Sequence, residues 1–254
     1  MITDAPIHPS LAVADLARAR SWYAEKLGWE PTIEPPGTLI YEVGGSAFTL
    51  FETEFAGTAK NTVMNWNVAD LRSGVARLRE RGVVFEEYDE GEYKTVDGIM
   101  TDPSGGMNAW FKDSEGNIIG MPWSPDQAPA GESVSAMIAA SDLGRAKAWY
   151  ADKLSLAPVT EFEGVIVMYT SGNSTFAVYK TEFAATAKNT VAVWRFKGVR
   201  DEVARLRARG VEFEDYDFGE EKTVGGVLAD ADGNVNAWFK DSEGNILALV
   251  EDRT

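Results

Sequence analysis

The chain has no cysteine, which excludes a disulfide framework. It has a single histidine, His8, so little imidazole chemistry is on offer. No stretch approaches the roughly 18 consecutive apolar residues that a membrane span requires. Basic residues are scarce: Lys plus Arg number 24 against 40 Asp plus Glu, a net charge of −16. That sign repels phosphate backbones and anionic lipid, so neither nucleic acid nor a membrane is an expected partner. The opening MITDAPIHPS lacks a basic segment followed by an apolar one, and no secretory signal is expected. With 44% apolar and 25% charged residues, the composition is that of a water-soluble globular protein, expected in the cytoplasm. The acidic surplus serves solubility first, and attraction of a cationic ligand second.

What is present is repetition. NAWFKDSEGNI stands at 108 to 118 and again at 236 to 246. TEFAGTAKNTV at 53 to 63 meets TEFAATAKNTV at 181 to 191, and DLARARSWYAEKL at 15 to 27 meets DLGRAKAWYADKL at 142 to 154. The chain reads as a tandem duplication, which has to be settled before any other fold argument. The joint is placed at PWSPDQAPAGE, where three prolines interrupt regular structure. The expected domains are therefore 1–121 and 133–254, joined by a linker at 122–132.

Within each repeat two similar units follow one another. HPSLAVA reads as a strand; Asp15 is a natural N-cap, Leu16, Ala19, Trp22, Tyr23 and Leu27 form a helical stripe, and Gly28 ends it. Short strands are predicted around 39–43 and 46–52. TVMNWNV at 62 to 68 is a strand, Asp70 caps a helix carrying Leu71, Val75 and Leu78, and Gly82 closes it before strands near 99–102, 107–112 and 117–121. The second repeat follows suit, with Asp142 as cap and a helix bearing Val199, Val203 and Leu206 that ends at Gly210. Alternation assigns faces: Met64, Trp66 and Val68 lie on one side and Val63, Asn65 and Asn67 on the other. Trp66 and its counterpart Trp194 are assigned to the core. In the closing strand Asn108, Trp110 and Lys112 share a face opposite Ala109 and Phe111, and Asp113 to Asn117 make the turn.

Taken together, the strand followed by DLARARSWYAEKLGW, the helix ending VARLRERGVVFEEY and the hairpin AWFKDSEGNII resemble the vicinal oxygen chelate superfamily of glyoxalase I, extradiol dioxygenases and bleomycin-resistance proteins. The resemblance covers nearly the whole chain, twice. It implies an α+β fold of two tandem glyoxalase-like domains, each of two βαβββ modules whose curled mixed sheets form a cup with helices outside. A tandem chain would make internally the contact that single domains make as dimers, so a monomer with an internal pseudo-dimer is expected. Ser114 and Ser242 replace the usual proline of the hairpin.

The same resemblance implies a metal site, and the residues depart from it. His8 stands at the first ligand position, but Ser135 replaces it in the second repeat. Val63 and Val191 occupy the position that is commonly His, and Gly120 and Ala248 the one that is commonly Glu. The fourth position falls on Leu50 or Glu52, and on Val178 or Lys180. Catalytic transition-metal sites use about three protein ligands, so no metal and no other cofactor is expected. The leading expectation is a metal-free protein that sequesters a small aromatic or cationic compound. Trp110, Trp238, Asn65, Asn67, Asn108, Asn236, Arg195 and His8 are its candidate contacts. The alternatives are a glyoxalase-like lyase or dioxygenase-type enzyme with a reduced or absent metal site, and a scaffold whose cups are filled by its own side chains. Lys94 and Lys222 stand at equivalent loop sites where an amine could bind an anion or act as a base.

Overall fold

The computed structural model describes residues 1–89, 94–126, 131–162, 164–219, 221–229 and 235–251. The chain folds into two compact units, a first of Leu11–Ser135 and a second of Met1–Ser10 with Ala136–Thr254. The first repeat runs β1 (Ile7–Val13), α1 (Leu16–Trp22), β2 (Thr38–Val43), β3 (Ser46–Glu52), β4 (Thr62–Asn67), α2 (Leu71–Glu80), β5 (Thr95–Val96), β6 (Ile99–Thr101), β7 (Met107–Lys112) and β8 (Ile118–Trp123). The second runs β9 (Ser133–Ala140), α3 (Leu143–Trp149), β10 (Thr160–Phe162), β11 (Ile166–Ser171), β12 (Ser174–Lys180), β13 (Thr190–Phe196), α4 (Val199–Ala208), β14 (Leu228–Ala229), β15 (Val235–Lys240) and β16 (Ile246–Glu251). The class is α+β, with the glyoxalase-like plan carried twice.

Local chemistry explains the elements. Asp15 accepts the Arg18 backbone N–H at 2.9 Å and so caps α1. After Trp22 the helix widens into a π turn over Tyr23–Leu27, and Gly28 closes it at φ 76. Uniform helical spacing did not predict that wider turn. Asp70 caps α2 through Ser73, and the buried stripe Leu71, Gly74, Val75 and Leu78 packs onto β7 and β8. The sheets are mixed: β4 runs parallel to β8, which is antiparallel to β7, and β13, β16 and β15 repeat that arrangement. Pro122 and Trp123, expected in the linker, are instead the end of β8, opposite Asn108 and Met107.

The core is aromatic in both units. Trp66 and Trp194 are fully buried, as alternation assigned them. Tyr41 stacks on Phe48 at 4.8 Å, and Tyr169 on Phe176 at 5.0 Å. The duplicated hairpin is an anchor. The buried Asp113 accepts the Tyr23 hydroxyl at 2.9 Å, the Asn117 side-chain amide, and the backbone N–H groups of Glu115 and Asn117. Glu115 receives two bonds from Arg18 and one from the Ala14 N–H, while Asn117 Nδ2 donates to the Ala12 carbonyl. Asp241, Glu243 and Asn245 do the same toward Tyr150, Arg145 and Ala139. Each hairpin thereby clamps the first strand and helix of its own repeat.

Candidate ligand-binding site

In the second unit, strand register places four side chains in one row. His8 of β1 lies opposite Val193 of β13, Val193 beside Ala248 of β16, and Ala248 opposite Trp238 of β15. The next row on the same face holds Arg195, Val250 and Asn236. The face opposite carries Trp194, Leu249 and Ala237, all fully buried. His8, Trp238, Arg195 and Asn236 therefore share one side of one sheet, away from the core. Trp238 is half-buried, and two rings flank it: Tyr216 at 5.7 Å and Phe218 at 5.8 Å. Phe218 is 57% exposed, so this aromatic cluster opens to solvent.

In the first unit the corresponding row is Asn65, Gly120 and Trp110. A methyl group at Gly120 would lie 2.5 Å from Asn65 Oδ1 and 3.4 Å from Trp110 Nε1, so the amide and the indole converge over that glycine. Tyr88 meets Trp110 edge-to-face at 5.5 Å, as Tyr216 meets Trp238. Asn108, opposite Pro122, points to the same side, and its side-chain oxygen is buried with no donor among the described residues. The Asn67 amide donates to Ser133 Oγ at 3.2 Å. Lys112, two residues past Trp110, is paired with Glu86 at 2.8 Å. His8, Trp110 and Arg195 each take part in interactions within the fold.

The tyrosines and Phe218 were not singled out from the sequence. A signal was available, since Tyr88 and Tyr216 recur at matching places in the two repeats. Their position became legible only with the bridges Phe85 to Phe111 and Phe213 to Phe239, which bring those segments alongside β7 and β15. Burial raises the pKa of both phenols, with Glu86 and Glu214 adding to it, so they stay neutral donors.

The donor set does not fit a catalytic divalent cation. The row beside His8 continues with Val193 and Ala248, neither of which can ligate. Among the described residues no group of three His, Asp or Glu stands close enough together to hold an ion. Lys94 and Lys222 are exposed.

The fold and the faces together define a glyoxalase-like α+β protein. Residues 6–121 match the model of the Glyoxalase/Bleomycin resistance protein/Dioxygenase superfamily. Two solved structures extend the likeness to the whole chain. Glyoxalase I from Zea mays superposes with a TM-score of 0.67 at 14% identity, covering 96% of this chain and 91% of that one. A candidate dioxygenase from Bacillus subtilis subsp. subtilis str. 168 gives 0.58 at 16% identity, over 97% and 84%. At these identities the likeness is one of fold. No curated protein sequence matches the chain. Among the described residues no helix is long and apolar enough to cross a membrane.

Proposed function

We propose that the protein is a small-molecule-binding member of its superfamily, capturing a planar, partly polar compound on the tryptophan faces rather than transforming it at a metal. The observation that carries this reading is the Asn108 side-chain oxygen, buried beside Trp110 with no donor among the described residues. A buried acceptor left unmatched costs about 1–3 kcal/mol, and a ligand N–H supplies what is missing. Tyr88, half-buried, offers a ring beside the buried Trp110, and Asn65 a second amide, the mixture typical of a small-molecule pocket. The acidic surplus of the chain favours a neutral or cationic guest. In this reading the protein works as a cytoplasmic monomer without a cofactor.

The test is a panel of planar amines, amides and neutral heterocycles, followed by tryptophan fluorescence and thermal shift. At least one compound should quench and stabilise the native chain, and Trp110→Ala should weaken that compound by about tenfold or more, the scale of one lost aromatic contact. A panel with no stabilising compound, or stabilisation indifferent to Trp110→Ala and Trp238→Ala alike, sinks the reading.

A further inference from the structure

A second feature lies on the helix side of the sheet in the first unit, the side that Phe111 faces and Trp110 does not. Between α2 and the β5–β6 hairpin runs a groove of about 540 Å3, lined by Arg72, Val75, Ala76, Arg79, Lys94, Val96, Asp97, Ile99 and Thr101. Val75 and Ile99 are buried and form its apolar floor, while Val96, 71% exposed, forms an uncovered apolar lip. Three cations and one acid line the groove, a local balance of +2, whereas the whole chain stands at −16. A positive, apolar-floored recess in so acidic a protein is the reverse of what composition alone would place there.

The three cations are not equivalent. Arg79 is fixed: its guanidinium donates to the Asp97 carbonyl at 2.6 Å and lies 5.7 Å from the centre of the Phe85 ring. That bond holds Asp97 in a left-handed conformation, φ 50, rare for a residue with a side chain. Glu87 ties the same hairpin through the Gly98 N–H and the Thr95 hydroxyl. The hairpin is thus held at Thr95 and at its turn while Arg72 and Lys94 stand at the groove with exposed side chains. Asp70, the neighbouring carboxylate, caps the helix through Ser73 and also interacts electrostatically with Arg72.

We propose that this groove binds an organic anion with an apolar body, its acid group held between Arg72 and Lys94 and its chain laid on Val75, Val96 and Ile99. The site is separate from the tryptophan faces and does not depend on what they bind. Octanoate is the probe, titrated at low salt into the full-length chain and followed by backbone amide NMR. We expect saturable shifts at Val75, Val96 and Ile99, with 1-octanol and octylammonium binding at least about tenfold more weakly, as the loss of a charge-assisted contact implies. Inorganic phosphate separates the two halves of the chemistry: binding as tight as octanoate would show that the apolar floor contributes nothing and would overturn the proposal. Arg72→Gln with Lys94→Gln should weaken octanoate by about tenfold or more. The matched pair Arg200→Gln with Lys222→Gln removes the same charge at the equivalent places of the other repeat and should leave binding unchanged. Equal weakening by both pairs, shifts confined to the Trp110 indole, or no saturable shift at all would each overturn it.

Discussion

At the scale of single residues, the two repeats solve the same packing problem with different atoms. In the second unit the Trp194 indole N–H donates to Ser171 Oγ at 2.9 Å. The matching serine is absent from the first unit, where Val43 stands instead and the Trp66 N–H is buried without a conventional acceptor among the described residues. Trp29 takes up the space, its ring centre 4.6 Å from that of Trp66 in an edge-to-face contact. We therefore expect Trp194→Phe to destabilise by about 1–3 kcal/mol more than Trp66→Phe, because only the former discards a satisfied buried bond. Urea unfolding of the two variants checks this, and equal losses would contradict it. Gly120 is a second informative residue: a methyl group there collides with Asn65 Oδ1, so Gly120→Ala should swing the amide aside. A ligand bound at the Trp110 face should then weaken several-fold, on the order of one lost hydrogen bond, while the melting temperature changes little. Fluorescence titration of wild type and variant distinguishes the two effects.

At the scale of elements, the hairpin whose eleven residues recur is the device that joins each closing strand to the start of its repeat. Its charges titrate in opposite senses. Burial pushes the Asp241 carboxyl up to about 6, against the pull of its hydrogen-bond donors, whereas the bonds from Arg145, Ser141 and the Asp142 N–H hold Glu243 at about 2. For Asp241 the folded value lies above the usual 3.8, so its contribution to stability is complete below that pH and is lost as pH rises through about 6. For Glu243 the folded value lies below the usual 4.5, so its contribution is present above that pH and is lost as pH falls toward 2. Thermal melts should show a slope of opposite sign in the two windows. Asp241→Asn should reduce only the upper slope and Glu243→Gln only the lower one, the raised Asp113 and the lowered Glu115 keeping their own shares; a single variant that reduces both would refute the assignment. The turn residues Asp, Gly and Asn were legible in the sequence, but the partners Tyr23, Arg18 and Ala12 were not. They lie about a hundred positions away, and nothing local encodes such a contact.

At the scale of the molecule, duplication preserved the framework and let the open faces diverge. Asn65 answers to Val193 and Asn67 to Arg195, so the first unit presents amides where the second presents a valine and a guanidinium. Only the second adds Phe218 to the aromatic pair and His8 to the row. Two unequal sites are the expected outcome, and calorimetric titration with any compound found for the Trp110 face should give either one site or two of clearly different affinity. Two equal, independent sites would be incompatible with these faces. The sequence alone determined the repeat, the caps Asp15, Asp70 and Asp142, the core assignment of Trp66 and Trp194 and the side of each strand on which the candidate residues stand, because these depend on local spacing and on a period of two or of 3.6 residues. Only the tertiary structure decided that His8 aligns with Val193, Ala248 and Trp238, that Asn67 is held by Ser133, that the segments bearing Tyr88 and Tyr216 close over the tryptophans, and that a cationic groove lies behind α2. Strand register and long-range pairing are settled by the packing of the whole fold, and no short stretch of the chain carries them.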